Sequence, residues 1–260
     1  ATVTLSVSAV NDAPVLVAIS DVSFDEDGSG ATSLSASVVD GDSLEFSISG
    51  GLEIEAILSG SDVIFSAPAN YNGSETFIVT VTDENLSDSQ SISVTVLAVN
   101  DAPVANAASG ATSEDQSVVV TLSGSDIDGD NLTFSLDADA SNGSVTLNGS
   151  LATYTPDANY NGDDSFSFTV SDGEYTSNAD VTVSIAAVND APVLATVSDV
   201  SFDEDGSGST SLSADDVDGD DLTYSISGGS DITATLDGSD ITFSAPADYN
   251  GSETFSVSVS

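Results

Sequence analysis

The sequence predicts an all-β protein made of tandem, Ig-like antiparallel Greek-key β-sandwiches arranged end to end. Three observations support this: an internal repeat of about 90 residues, apolar and polar residues that alternate within short runs, and Gly, Asn, Asp and Pro clusters between those runs. Alternation places successive side chains on opposite faces of a strand. Short strands separated by turn signals are typical of a sandwich, and no stretch keeps helical spacing.

The repeat is read from the motif A-V-N-D-A-P-V, which occurs three times, with Asn11, Asn100 and Asn189 separated by 89 and 89 residues. A Tyr-Asn-Gly motif keeps the same step. The segment at 20–30 returns unchanged at 198–208. Repeats one and three are therefore close copies, and repeat two is a divergent relative.

These motifs divide the chain into modules and short linkers. Residues 2–7 match 91–96, the last strand before a linker, so 1–8 are predicted to be the last strand of a preceding module. The third module is predicted to lack its last strand. The predicted boundaries are: first linker 9–14, module one 15–98, second linker 99–103, module two 104–187, third linker 188–192 and module three 193–260.

The composition excludes several functions. The 260 residues include 44 Asp and Glu but no Lys, Arg or His, which gives a formal net charge of −44. Nucleic acid and anionic membrane surfaces are excluded as electrostatic partners, because binding them requires a basic face. Without Cys, His or Lys there is no nucleophile–base pair, Schiff base or disulfide. Metal cations are the natural counterions, and no enzyme activity is expected.

Membrane insertion is also not expected, because no apolar run approaches the roughly 20 residues of a spanning helix. There is no signal peptide and no Met at all, so the sequence is interpreted as a window of a longer chain.

Acidic residues recur at the same points of each repeat. A Glu-Asp pair follows each linker proline by about 12 residues, at Glu26-Asp27, Glu114-Asp115 and Glu204-Asp205. Single acids follow a late strand at Asp83 and Asp172. A second cluster contains Asp40 and Asp42 in module one, Asp126, Asp128 and Asp130 in module two, and Asp216, Asp218 and Asp220 in module three.

Two explanations compete for these clusters. Turns favour Asp because its side chain bonds to local backbone groups. Against that alone, two carboxylates 4 Å apart repel by roughly 1 to 4 kcal/mol in a partly screened site. A cation would relieve the repulsion, and many hard oxygen donors suit Ca²⁺ better than Zn²⁺ or Mg²⁺. An EF-hand is excluded, because its helices and loop glycine are missing.

At these residues the chain resembles the cadherin-like (tandem-95) repeats of large bacterial surface proteins and RTX adhesins. The likeness covers essentially the whole sequence. Module two carries it most fully, in Ser113-Glu114-Asp115, Asp126-Ile127-Asp128-Gly129-Asp130, Asn142-Gly143-Ser144-Val145, the run at 154–160 and Phe168-Thr169-Val170-Ser171-Asp172-Gly173.

The resemblance, which extends to animal cadherins, implies calcium bound where one module meets the next. For the second linker it implies Glu26, Asn100, Asp101, Asp126, Asp128 and Asp172. For the third linker it implies Glu114, Asp157, Asn189, Asp190, Asp216 and Asp218. For the first linker it implies Asn11, Asp12, Asp40, Asp42 and Asp83. Asp27, Asp115, Asp130 and Asp220 are further candidate ligands.

The chain departs from the cadherin pattern at several positions. Each linker lacks the leading Asp and second Asn of D-x-N-D-N-A-P, Val38 replaces the first acid of the second cluster, and Pro68-Ala69-Asn70 lacks the acid found at Asp157. One or two ions per linker are therefore expected, with sites that differ from linker to linker.

The resulting expectation is a calcium-rigidified extracellular stalk of a cell-surface adhesin, of the kind found in biofilms. Two other classes stay open: a subunit of a calcium-dependent filament or matrix that self-associates, and a glycan-binding surface module. The acidic composition could instead reflect a salty habitat without a specific metal. The repeated Tyr71, Tyr160 and Tyr249 are expected to be structural corners of the sandwich rather than sugar platforms.

Overall fold

The computed structural model describes all of residues 1–260 and contains strands and turns but no helix. It therefore has no helix that could cross a bilayer. All-β architecture, predicted from the alternating pattern, is confirmed. In each of modules one and two the first long strand pairs in parallel with the last.

Module one contains nine strands in two main sheets. One sheet has the order β2-β9-β8-β5, the other has the order β3-β7-β6, and β1 pairs with β4. The strands are β1 (Val15–Leu16), β2 (Val22–Asp25), β3 (Ser29–Ser33), β4 (Ala36–Ser37), β5 (Glu45–Gly50), β6 (Glu55–Ser59), β7 (Asp62–Ser66), β8 (Gly73–Thr82) and β9 (Ser87–Leu97).

Module two repeats this plan, with sheets ordered β11-β18-β17-β14 and β12-β16-β15 and with β10 paired to β13. Its strands are β10 (Val104–Asn106), β11 (Ala108–Ser113), β12 (Val118–Thr121), β13 (Ser123–Ser125), β14 (Thr133–Ala138), β15 (Gly143–Asn148), β16 (Leu151–Pro156), β17 (Gly162–Ser171) and β18 (Thr176–Ala186).

Module three contains a three-stranded sheet, β20-β24-β23, and the pairs β22-β25 and β19-β21. Its strands are β19 (Val193–Leu194), β20 (Ser207–Ser211), β21 (Ala214–Asp215), β22 (Tyr224–Gly228), β23 (Thr233–Asp237), β24 (Asp240–Ser244) and β25 (Phe255–Val259). No strand lies beside β25 on the side away from β22.

The core of each complete module is made by the inward residues of both sheets. In module one the rings of Phe65 and Phe77 meet edge to face with centroids 5.3 Å apart. Val79, Ile92 and Val94 close around them and are fully buried. Because these residues alternate with less buried ones along β8 and β9, the period-2 pattern of the sequence is the pattern of burial.

The chain divides into two compact units. The first comprises residues 1–103, 125–132 and 171–176, and the second comprises 104–124, 133–170 and 177–260. Two acidic loops of module two, at 125–132 and 171–176, thus belong to the same unit as module one and the second linker. The first and second linkers lie in the first unit, and the third linker lies in the second.

Residues 1–14 are assigned no strand. The strand expected over residues 2–7 is not formed, because no other strand lies beside it to share backbone hydrogen bonds. The side chains of Val3, Leu5 and Val7 are 93%, 86% and 87% exposed. Their assignment to a preceding module stays a prediction.

Candidate metal centre

At the second linker, Glu26 is held where β9 gives way to the linker. Its backbone N–H donates to Leu97 O, which continues the parallel pairing of β2 with β9. The Glu26 side chain is 6% exposed, and its Oε1 accepts a 2.5 Å hydrogen bond from Val99 N–H. Its second oxygen, Oε2, is buried without a hydrogen-bond partner. A buried, charged oxygen without a partner is costly, so this atom requires a physical explanation.

Asp101 lies at the centre of the same site. Its N–H donates to Oδ2 of Asp128 at 2.8 Å, while its own Oδ2 is buried without a partner. Burial raises the pKa of Asp101, and the negative charges of Asp128, Asp27, Glu26 and Asp126 raise it further. The carboxylates of module one, the linker and loop 125–132 therefore converge on one aspartate.

Loop 125–132 is shaped by Asp126. Its Oδ1 accepts the N–H groups of Asp128, Gly129 and Asp130 at 3.0, 3.1 and 3.3 Å, an Asx-type turn closed by Gly129 at φ 81°. The other oxygen, Oδ2, is buried and unpartnered. Carboxylate oxygens of Asp126, Asp128 and Asp130 lie within 4.8 Å of one another. The turn explanation thus accounts for one oxygen of Asp126 but not for the other.

Both carboxylate oxygens of Asp172 accept hydrogen bonds, one of them from the linker residue Asn100, so neither is left without a partner. Its Oδ2 accepts from Asn100 Nδ2 at 2.9 Å, and its Oδ1 accepts from Glu174 N–H and Tyr175 N–H at 2.6 Å each. Burial alone would raise the pKa of Asp172, but these hydrogen bonds outweigh it and leave the pKa below its usual value. All six residues expected at the second linker are therefore brought together.

The third linker repeats this arrangement. Oε1 of Glu114, itself a buried residue, accepts a 2.5 Å hydrogen bond from Val188 N–H, and Asp190 N–H donates to Asp218 Oδ2 at 2.6 Å. Oδ2 of Asp190 is buried without a partner. Burial raises the pKa of Asp190, and the charges of Asp115, Asp218, Glu114 and Asp216 add to it.

Asp216 shapes the loop at this linker as Asp126 does at the second. Its Oδ1 accepts from the N–H groups of Asp218 and Asp220 at 3.0 and 3.3 Å. Asn189 Nδ2 donates only to Asp190 O, at 3.0 Å. Asp220, like Asp130, is exposed.

The first linker has hydrogen bonds corresponding to those of the second linker, but fewer acidic residues. Asp12 N–H donates to Asp40 Oδ2 at 2.6 Å, and Asn11 Nδ2 donates to Asp83 Oδ2 at 3.0 Å. Backbone hydrogen bonds from Leu86 and Asn85 lower the pKa of Asp83. Val38 stands where Asp126 and Asp216 shape their loops, Asp42 is exposed, and none of the buried, unpartnered oxygens belongs to this linker.

Three of the candidate ligands have other contacts. Asp27 and Asp115 are exposed, and each accepts a backbone N–H from the turn before the repeated tyrosine, from Asn70 at 3.2 Å and from Asn159 at 3.1 Å. Their charges still act on Asp101 and Asp190. Asp157 is exposed and uses its backbone N–H to bond Asn142 O at 2.8 Å, with no hydrogen bond from its side chain to the third linker.

Three other carboxylates, which accept hydrogen bonds from the backbone of a loop, were not predicted from the sequence. Glu75 accepts the N–H groups of Leu52, Glu53 and Ile54 at 2.8, 3.0 and 3.1 Å. Glu253 and Asp164 clamp the equivalent loops at 230–232 and 141–142. Their signal was present in the sequence: each acid stands in phase with the inward apolar residues of its strand.

The donor chemistry of the second and third linkers fits a hard divalent cation. Every side-chain group is an oxygen donor, the carboxylates repel one another, and four buried oxygens, on Glu26, Asp101, Asp126 and Asp190, have no proton donor. Calcium accepts six to eight such oxygens in flexible geometry. Glu26, Asp101, Asp126 and Asp128 could hold an ion at the second linker, and Glu114, Asp190, Asp216 and Asp218 at the third.

Comparison with known proteins gave a family and a set of structures. The sequence model of a family described as Bacterial Ig domain matches residues 11–95, 100–184 and 189–260. Each match begins at the asparagine of a linker. A comparison with curated protein sequences gave no match.

The similar solved structures include human protocadherin-24 EC1-2, at 19% identity and a TM-score of 0.48 over 68% of this chain and 99% of that one. Drosophila N-cadherin EC1-4 is 12% identical, with a TM-score of 0.40 over 96% and 75% of the two chains. An endo-fucoidan hydrolase of glycoside hydrolase family 107 is 16% identical, with a TM-score of 0.32 over 92% of this chain. This chain spans 42% of the length of that hydrolase.

Proposed function

The chain belongs to the bacterial Ig domain family, with three modules in tandem, and we propose that it is a calcium-stiffened spacer of an extracellular, adhesin-type surface protein. The observation that carries the proposal is the convergence of carboxylates on Asp101 and Asp190, each with a buried Oδ2 that has no hydrogen-bond partner. The clusters lie at linkers, so whatever neutralises them acts on the joining of modules.

The charge balance explains why a cation would matter here. The chain has no Lys, Arg or His, so no side chain of its own can neutralise these clusters. Calcium would supply the missing positive charge. The buried oxygens of Glu26, Asp101 and Asp126 would then gain an electrostatic partner in place of mutual repulsion.

The bonded frame around each cluster supports a mechanical role. Asp128 and Asp218 hold the backbone of the linker aspartates, while Glu26 and Glu114 hold the backbone of Val99 and Val188. The second and third linkers are thereby tied to residues before and after them in sequence. Bound calcium would stabilise these hydrogen bonds and restrict bending at the linkers. Without calcium, repulsion between the carboxylates would weaken them.

The proposed location follows from the ion. Extracellular modules bind calcium with Kd values of roughly 10⁻⁴ to 10⁻³ M, a range suited to extracellular calcium. At a calcium concentration of 10 to 100 times Kd, each site would stabilise the folded state by about 1.4 to 2.7 kcal/mol.

Isothermal titration calorimetry tests the proposal. We expect saturable Ca²⁺ binding that survives in high NaCl, because a coordinated ion is not displaced by screening as a diffuse counterion is. Asp101→Asn should lower the affinity of the second linker by at least about tenfold. Asp180→Asn removes the same charge from an exposed strand position and serves as the matched control.

Small-angle scattering supplies the mechanical half of the test. Chelation should shorten the largest dimension of the molecule and lower its melting temperature. Two results would contradict the proposal and favour a salt-adapted acidic surface. One is calcium binding that is lost in high NaCl, and the other is a largest dimension and melting temperature that the chelator does not change.

A further inference from the structure

The outer face of the β3-β7-β6 sheet of module one contains an apolar row of three residues. Ala31 on β3 lies beside Ile64 on β7, and Ile64 lies beside Ile57 on β6. Ala31 is exposed, and the side chains of Ile64 and Ile57 are 51% and 54% exposed. The apolar row therefore crosses all three strands of the sheet and faces solvent.

Modules two and three have a pair of threonines where module one has Ile57 and Ile64. These pairs keep the register of the isoleucines: Thr146 with Thr153, and Thr235 with Thr242. In place of Ala31, module two has Val119 and module three has Ser209. The row is thus fully apolar in module one, has one apolar residue in module two and has none in module three.

The isoleucines are not needed to form the sheet. Thr and Ile are both β-branched, and both suit a strand. The inward neighbours Ala56 and Phe65 are the same residue types in module three, at Ala234 and Phe243. What the exchange changes is the outer surface, and an exposed apolar surface rimmed by polar residues is typical of a binding site.

Acidic side chains flank the apolar row on both sides. Glu55 stands two residues before Ile57 on β6, and Asp62 stands two residues before Ile64 on β7. Because these strands are antiparallel, the two acids lie on opposite sides of the row. Asp62 accepts a 2.6 Å hydrogen bond from Ser33 Oγ, and the chain has no Lys, Arg or His to pair with either carboxylate. A complementary partner carries apolar side chains between basic ones.

A second copy of this chain does not have that complementarity. Two copies that met through this face would bring Glu55 and Asp62 of one against the same carboxylates of the other. Neither copy has a Lys, Arg or His with which to offset the repulsion. The charges therefore favour a different, basic protein as the partner.

The dimensions of the face match those of a helix. The row spans three strands, which is about 10 Å across the sheet and equals about seven residues of helix. Asp62 pairs with Ser59, four residues along β6 from Glu55, so the two acidic positions are about 13 Å apart along the strand direction. A helix is about 10–12 Å in diameter. A helix lying along the row would place side chains i, i+4 and i+7 over the three strands and basic flanking residues over the two acids.

We propose that this outer face of module one binds a basic amphipathic helix of another protein. Apolar side chains of the helix pack against Ile57 and Ile64, and its Lys or Arg side chains pair with Glu55 and Asp62. The site uses none of the linker carboxylates, so it does not rest on the proposed calcium-dependent function.

Isothermal titration calorimetry with a helical peptide of leucine and lysine, its leucines on one face, tests the proposal. A control peptide has serine in place of leucine and the same charge. The chain itself supplies the matched variants. I57T/I64T gives module one the threonines with which modules two and three fold, and E55T gives it the residue at Thr233 of module three. T233E/T235I/T242I transplants the site to module three.

At physiological ionic strength we expect I57T/I64T to weaken binding of the leucine-lysine peptide about tenfold, because two apolar side chains lose their contact. E55T should weaken it about threefold through loss of one exposed ion pair. T233E/T235I/T242I should raise the number of tight sites from one to two per chain. The serine peptide should bind the unmodified chain and all variants equally weakly.

Equal affinity of the unmodified chain and I57T/I64T would overturn the proposal, because binding would then follow net charge alone. An affinity that E55T leaves unchanged would overturn the charge pairing. Sedimentation velocity checks the other occupant: self-association that I57T/I64T abolishes would assign the face to a second copy and also overturn the proposal. The peptide titrations should give the same result with calcium and with a chelator, so their failure leaves the calcium titration of the linkers unaffected.

Discussion

Residues 21–30 and 199–208 have the same sequence, D-V-S-F-D-E-D-G-S-G, in two different environments. In module one this segment contains strand β2, and Phe24 and Glu26 are buried. In module three the segment forms no strand until Ser207, Phe202 is half-buried and Glu204 is exposed. The difference therefore arises outside the segment, in the strand that lies beside it in module one.

That strand is β9, which pairs with β2 and leads into the linker residue Val99, whose N–H bonds Glu26. Strand formation, core closure and burial of the candidate ligand thus depend on a pairing about 70 residues apart in sequence. A local sequence with good strand propensity stays irregular when this pairing is missing.

Other features are the same in both modules. The rings of Phe243 and Phe255 meet at 5.1 Å, as those of Phe65 and Phe77 meet at 5.3 Å. Asp27 and Asp205 both adopt positive φ, at 59° and 65°. Both features form within the strands and turns that the two modules share, so they do not depend on β9. Strand β2 and the burial of Phe24 and Glu26 do depend on β9.

The largest expected effect concerns the core. Phe65→Ala leaves a cavity in a closed core, since Phe65 is fully buried, and should lower the free energy of unfolding of module one by about 3 to 5 kcal/mol. Phe243→Ala removes a half-buried ring that already borders a groove and should cost about 1.5 kcal/mol or less. Hydrogen exchange read separately over β6–β8 and β23–β25 measures both.

Ile64→Ala is a control for the general loss of a large side chain in module one, because Ile64 stands next to Phe65 but is half-exposed on the outer face. Equal losses for Phe65→Ala and Phe243→Ala would mean that the groove of module three is closed in solution. The comparison between the modules would then fail.

Much of the fold could be predicted from alternation and repeat spacing. Val79, Val94 and Val183 lie inward as the period of two requires. The parallel pairing of β2 with β9 could not be predicted, because alternation assigns a face to each residue but no neighbour to a strand. The same limit applies to residues 2–7. This segment has the alternating pattern, but alternation does not show whether a neighbouring strand is present to pair with it.

For the candidate site, recurrence marked the acids beside each linker, and the resemblance to cadherin-like repeats implied which of them lie together at the second linker. It could not predict how their oxygens divide between roles. Asp172 has both oxygens bonded to N–H groups, whereas Asp126 bonds one and leaves the other without a partner. Asp157 was carried over by resemblance, and its side chain makes no hydrogen bond to the third linker.

A smaller effect is expected from exchanging the loop residues that differ between the two modules. Val38→Asp would give loop 38–42 the carboxylate that Asp216 supplies in module three and should tighten calcium binding at the first linker by about tenfold. Asp216→Val should weaken the third linker by a similar factor. Titration calorimetry of the single and double variants measures both changes.

Val39→Asp is the matched control, because it adds the same charge at the neighbouring position, which is 84% exposed. If Val39→Asp tightened binding as much as Val38→Asp, added charge alone would explain the gain. The specific role of the turn-forming aspartate would then be rejected.

The smallest expected effect concerns a contact that does not require β9. Burial raises the pKa of Glu75, but N–H donors from Glu53, Leu52 and Ile54 and the Tyr71 hydroxyl outweigh it, so the net pKa is lowered. Backbone donors from Asp231 and Ser230 likewise lower the pKa of Glu253. A carboxylate with a lowered folded-state pKa stabilises above its ordinary pKa, and this contribution is lost as pH falls through the lowered value.

We therefore expect Glu75→Gln to reduce hydrogen-exchange protection of residues 52–54 at neutral pH, by an amount equivalent to roughly 1 kcal/mol, because an amide offers one acceptor oxygen where the carboxylate offered two. Glu253→Gln should act in the same direction on residues 230–232. Both differences from the unmodified chain should shrink as pH falls below about 4, while the exposed control Glu55→Gln should show none. An effect at Glu75 without one at Glu253 would show that the hydrogen bonds of this carboxylate to the loop also depend on β9. They could then no longer be counted among the local contacts.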